Sequence, residues 1–104
     1  MIFLTKDNFD QETLNSSIPV ILEFWSEDCR PCFLAEPLLN EIEKCYSGKV
    51  KIAKMNVEGN SEKVIEYGIT KIPTFIFFKN GQIKNRVEGF YDKYKVEKEL
   101  LAIL

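Results

Sequence analysis

Apolar positions along the chain switch repeatedly between a two-residue repeat and a 3.6-residue repeat, as when strands and helices alternate. Ile2-Phe3-Leu4 predicts a short first strand. Asn8–Asn15 predicts a helix, with Phe9, Thr13 and Leu14 inward and Thr5 or Asp7 as its cap. Pro19–Ser26 is an almost unbroken apolar run, the pattern of a central strand covered on both faces. From Cys29 to Tyr46 the repeat is helical, through Cys32, Leu34-Ala35, Leu38-Leu39, Ile42 and Cys45, and Gly48 ends it. Pro37 falls inside this stretch and predicts a kink or break near Phe33–Ala35. Val50–Val57 predicts a third strand, and Ser61–Tyr67 a short helix. Phe75–Lys79 and Gln82–Glu88 flank Asn80-Gly81, a strong hairpin signal. The last helix starts near Lys93 behind Asp92, with Val96, Leu100 and Ile103 on one face.

The order β-α-β-α-β-α-β-β-α implies parallel pairing early in the chain and an antiparallel pair late. The expected class is α/β, a single mixed five-stranded sheet flanked by four helices. The length of 104 residues suits one domain over 1–104, and neither a repeat nor a linker interrupts it. Eight Phe, four Tyr and one Trp supply a core without disulfide staples. Fourteen basic against sixteen acidic side chains give a net charge of −2, which argues against nucleic acid or an anionic membrane as partner. No signal peptide is evident, and no apolar run approaches the roughly 18 residues of a membrane span. Three cysteines do not make a secreted disulfide framework, so the expected compartment is the cytoplasm. The chain has no histidine. That removes Ser-His-Asp and Cys-His catalysis and His-ligated metals together.

The one sharp motif is Cys29-Arg30-Pro31-Cys32, between a buried strand and a helix. This spacing puts both thiols in the first helical turn, where unpaired N–H groups and the dipole favour a thiolate. Pro31 lacks an N–H, which costs nothing there. Zinc sites also use such pairs, but a closed one takes about four ligands. The only further thiol is Cys45, about 20 Å along a straight helix at 1.5 Å per residue. A redox dithiol is therefore the leading reading, ahead of inert packing and of a metal site. Glu23 stands in the middle of an apolar strand, so burial should raise its pKa and let it exchange a proton with Cys32. The alternative is a buried ion pair with Lys54 and no catalytic duty. Trp25 is read as packing under the Cys29 loop rather than reacting. Cys45 is expected partly buried as a small apolar group, with disulfide pairing between chains as its alternative.

Several stretches together resemble the thioredoxin family: Val20–Cys32, Glu36-Pro37-Leu38-Leu39, Ile52–Val57, and Tyr67-Gly68-Ile69 leading to Ile72-Pro73-Thr74. Phe77–Gly81 and Glu88-Gly89-Phe90 extend the likeness over essentially the whole chain. The resemblance implies the thioredoxin fold and a thiol–disulfide oxidoreductase that reduces disulfides in target proteins. Cys29 would attack and form a mixed disulfide, and Cys32 would resolve it. A thioredoxin reductase, NADPH- or ferredoxin-linked, would restore the dithiol. No cofactor beyond the Cys29–Cys32 disulfide is implied, and the protein is expected to be a monomer. Pro73 would be a cis-proline facing the cysteines, with Ile72 offering backbone groups to a bound peptide. Gly89 would admit the substrate backbone, or merely end its strand, and Trp25, Arg30 and Pro31 would complete the binding surface. An oxidant or isomerase, or a redox-inactive peptide-binding module, are the alternatives. Where the family commonly has Trp, Gly, Lys, Gly and a small residue, this chain has Asp28, Arg30, Phe33, Lys71 and Phe90. All five are expected around the reactive sulfur. Glu23 stands where Asp is typical.

Overall fold

Five apolar residues around Glu23 make Val20–Trp25 a strand that loses little by being covered on both faces, and it lies at the centre of the sheet. The computed structural model describes residues 1–104. In chain order the elements are β1 (Ile2–Phe3), α1 (Phe9–Glu12), β2 (Val20–Trp25), α2 (Arg30–Cys45), β3 (Lys51–Asn56), α3 (Ser61–Glu66), β4 (Thr74–Lys79), β5 (Gln82–Glu88) and α4 (Lys93–Ile103). The strands pair in the order β1-β3-β2-β4-β5. The first three run parallel, and β4 and β5 are antiparallel to their neighbours. This is the mixed five-stranded sheet with four helices that the residue pattern predicts.

Alternation along β2 and β4 sorts the core into two layers. Ile21, Ile52, Phe75 and Phe77 pack against Ala35, Leu38, Leu39 and Ile42 of α2 and Val96, Leu100 and Ile103 of α4. Val20, Leu22, Phe24, Ile76 and Phe78 pack on the opposite face with Leu4, Phe9 and Ile69. Burying each of these large side chains contributes about 1.5–3 kcal/mol. Glu23 shares the face of Ile21, so its carboxylate is directed toward α2.

Three local expectations need correction. Helix α1 is one turn long instead of spanning Asn8–Asn15: Thr13 is its last partner, with N–H and hydroxyl both on the Phe9 carbonyl (3.0 and 2.7 Å), and Asn15 N then bonds Asp10 O, one residue off the helical ladder. Neither Thr5 nor Asp7 caps it; Asn8 is the cap residue, and its side chain accepts from Thr5 N. Helix α2 does not break: it is continuous from Arg30 to Cys45, with Pro37 inside it. Phe33 and Pro37 are both exposed, so the carbonyl that Pro37 leaves without a donor faces water. Asp92 does cap α4, accepting from Tyr94 N at 2.9 Å.

The β4–β5 hairpin turns through Asn80 (φ 55°) and Gly81 (φ 74°), the left-handed pair of a type I′ turn. A Cβ on Gly81 would lie 2.9 Å from the backbone oxygen of Leu14. Gly81→Ala is therefore expected to cost about 2 kcal/mol, from left-handed strain plus this contact, read as a lower urea midpoint.

Candidate active site

Strand β2 delivers the chain to the sheet edge at Trp25, and Ser26, Glu27 and Asp28 turn it into α2. Cys29 is the cap residue of that helix, in an extended conformation (φ −110°, ψ 103°) that aims its side chain at the open N–H groups. Its sulfur accepts from Cys32 N at 3.1 Å. Pro31, in the first turn, gives up no hydrogen bond. Cys29 and Cys32 are joined as a disulfide with their Cα atoms 5.2 Å apart. Cys29 keeps 8% of its surface and Cys32 4%, so the first cysteine is the more accessible. On reduction, charge on the Cys29 sulfur would sit on helix N–H groups at the positive end of the dipole. Asp28, Arg30 and Pro31 are exposed around it.

The antiparallel register brings distant residues to the same edge. Phe24 lies opposite Thr74, so the next step places Trp25 beside Pro73. Thr74 lies opposite Glu88, and Gly89 N donates to Pro73 O at 2.7 Å. Trp25, Pro73 and Gly89 thus form a row across three strands, next to the end of β2 that leads to Cys29. The Ile72–Pro73 bond is cis, as the resemblance implied, and Pro73 is buried while Ile72 is half-buried. At Gly89 the left-handed backbone (φ 83°) would strain any larger residue, and a Cβ there would have to push aside the exposed Tyr91 ring.

Beneath the disulfide is a cavity of about 100 Å³ lined by Trp25, Cys29, Cys32, Phe33, Glu36 and Lys54, together with Ser26 and Glu27. Glu23 is fully buried below it, and neither carboxylate oxygen has a hydrogen-bond partner. Its only cation is Lys54, opposite it on β3, with Nζ at 3.6 Å. Desolvation pushes the Glu23 carboxyl up to about 7, against the opposing pull of Lys54. Lys54 also contacts Glu36 on α2 and sits 4.6 Å from the centre of the Trp25 ring. The arrangement is a disulfide at a helix N-terminus and, linked to it through Lys54, a buried acid whose carboxyl is pushed up by desolvation.

Of the residues singled out from the sequence, Cys29, Cys32 and Trp25 border one cavity, and Glu23 reaches it through Lys54. Ile72, Pro73 and Gly89 form the neighbouring edge. Phe33 lines the cavity, whereas Phe90 does not surround the sulfur. Phe90 packs on Phe75 (ring centres 6.3 Å apart) toward the α2–α4 side. Lys71 is exposed and lies 5.7 Å from the centre of the Tyr91 ring. Cys45 is exposed, not partly buried, in a groove of about 240 Å³ between α2 and α4. The residue that sequence reasoning missed is Glu36. It stands four residues after Cys32, one helical turn on, in the Glu36-Pro37-Leu38-Leu39 stretch that carries the resemblance, and that spacing was the signal for a place at the site.

The sequence is similar to those of known proteins over almost its whole length. A family model described as Thioredoxin matches residues 1–102. The chain is similar to the thioredoxin of Rickettsia bellii, 42% identical over 90 residues that cover 86% of each chain. It is similar to that of Rickettsia conorii at 44% over 86 residues, 83% of this chain and 82% of the relative. Thioredoxin 1 of Nostoc sp. is 38% identical over 97 residues, 93% of this chain and 91% of the relative. No helix is long and apolar enough to cross a membrane, and no group of three or more Cys, Asp or Glu side chains is placed to hold a metal ion. With a close Cys29–Cys32 pair at the start of α2 and a family match over residues 1–102, the chain belongs to the thioredoxin family and is a thiol–disulfide oxidoreductase.

Proposed function

We propose that the chain acts as one domain, a monomeric cytoplasmic carrier that passes two electrons from a reductase to disulfides in target proteins. The Cys29 thiolate attacks one sulfur of the target; a Cys29–target bond forms as the target disulfide breaks, and one target thiolate leaves. Cys32 gives its proton to Glu23 and attacks the Cys29 sulfur as a thiolate; the bond from Cys29 to the target breaks, the second target sulfur leaves as a thiolate, and the Cys29–Cys32 disulfide closes. A thioredoxin reductase then returns two electrons. Ile72, Pro73 and Gly89 hold the substrate backbone at the sheet edge, and Trp25, Arg30 and Pro31 form the surface around the sulfur.

The observation that carries this reading is the Cys29 sulfur at the α2 cap, accepting a helix N–H and more exposed than Cys32. Reconstitution with an NADPH-linked flavoprotein reductase and, separately, a ferredoxin-linked one should yield thiols from a disulfide-bonded protein substrate with one of them. No turnover with either would overturn the carrier role. Limiting alkylation of the reduced Cys45→Ser protein should label Cys29 well ahead of Cys32. Equal labelling would reject the assigned order of attack.

A further inference from the structure

The ammonium of Lys54 has two carboxylates within reach and divides itself unequally between them. It contacts Glu36 directly and stays 3.6 Å from Glu23, outside hydrogen-bond distance. Glu36 reaches it from α2 and is one-third exposed, whereas Glu23 has no contact with solvent. The second oxygen of Glu36 is buried without a partner, so its carboxylate is held at the cavity by the Lys54 contact. We propose that Glu36 is a positioning residue that sets the proton affinity of Glu23 by holding Lys54 back from it. The inference rests on the reading of Glu23 as the proton acceptor for Cys32.

The physical argument has two parts with the same sign. A cation released from Glu36 would close on Glu23 and favour its ionised form, as opposite charges within about 4–6 Å do. The negative charge of Glu36 itself disfavours a second negative charge nearby. Both keep Glu23 protonated to higher pH, and repulsion from Glu36 is among the causes that raise its carboxyl to about 7. Groups facing the cavity from the other elements do not replace this control. Strand β3 contributes Lys54 alone, and the β2–α2 loop contributes Glu27 at the rim. From α2 come Cys29, Cys32 and Glu36. Strand β4 places uncharged Phe75 opposite Glu23, and α4 faces this side with Val96, Leu100 and Ile103. A buried base poised near neutrality serves proton exchange better than one locked as a carboxylate by its cation.

The test is the titration of the Glu23 carboxyl, followed by carbon-13 NMR, in the whole protein and in Glu36→Gln. The glutamine keeps the shape and removes the charge that holds Lys54. The midpoint of Glu23 should fall by about one pH unit, a tenfold change in its ionisation constant. In a Lys54→Met background, where only the direct repulsion from Glu36 remains, the same substitution should shift it less. An unchanged midpoint in Glu36→Gln would overturn the proposal, and so would an equal shift without Lys54. Rapid-mixing measurements of mixed-disulfide resolution should follow the same displacement toward acid pH. If the carboxyl shifts while resolution does not, Glu36 still sets the affinity of Glu23, and it is the relay role of Glu23 that fails.

Discussion

At pH 8, Glu23→Gln is expected to stabilise the protein by about 3 kcal/mol, and at pH 4 to leave its stability nearly unchanged. The sign follows from the direction of the shift. Burial raises the Glu23 carboxyl from 4.5 to about 7 in the folded protein, while the unfolded chain keeps the ordinary value. Below both values each state holds the proton, and the group contributes nothing to the balance. Between them only the folded state holds it, so stability falls as pH rises through this window and then levels off. At 1.36 kcal/mol for each unit, the full loss is about 3 kcal/mol. Glutamine mimics the protonated acid and cannot ionise, so it escapes the loss. Lys54 keeps Glu36 as its partner in the variant. Urea unfolding at the two pH values decides it. Equal stability of the two proteins at pH 8 would mean that Glu23 is ionised and adequately solvated there.

Cys29→Ser should abolish reduction of protein disulfides, a loss of several orders of magnitude, because a hydroxyl cannot form the mixed disulfide. Cys32→Ser should still attack but stall, accumulating a covalent adduct with the target that mass spectrometry detects. The asymmetry arises from the helix start. Cys29 caps α2 and can be reached from outside, whereas Cys32 donates its N–H to the partner sulfur from one turn inside. Stable adducts in Cys29→Ser and none in Cys32→Ser would reverse the assignment. Glu23→Gln should lengthen the life of the same adduct in the otherwise unaltered protein, slowing its resolution more than its formation.

The sheet was legible because β2, β4 and the Asn80-Gly81 turn each carry a signal that tertiary context reinforces. An apolar run belongs at the centre, and an Asn-Gly pair tolerates positive φ. The short helices were less so. Helix α1 ends where Asn15 N shifts to the Asp10 carbonyl, one residue off the helical ladder, which an apolar repeat cannot reveal. Pro37 predicts a break only if the freed carbonyl is buried, and exposure is a property of packing. Cys45 follows the apolar repeat of α2 yet falls at the rim of its buried face, where one residue's rotation decides burial. At the site, the dithiol could be read from spacing, and the anomaly of Glu23 from its apolar neighbours. That Lys54 bridges Glu23 to Glu36 could not, since the contact joins β2, β3 and α2 through the fold alone.

The exposure of Cys45 gives the protein a built-in reference for its own redox state. Oxidised, it offers one thiol to an alkylating agent; fully reduced, it offers up to three. Because the Cys45 signal does not depend on whether Cys29 and Cys32 are joined, the ratio of labelled sites reads the oxidised fraction without a separate measure of concentration. The same exposure carries an experimental cost. A trapping reagent in excess will also decorate Cys45, so an adduct is assigned to Cys29 only by peptide mapping or in a Cys45→Ser background.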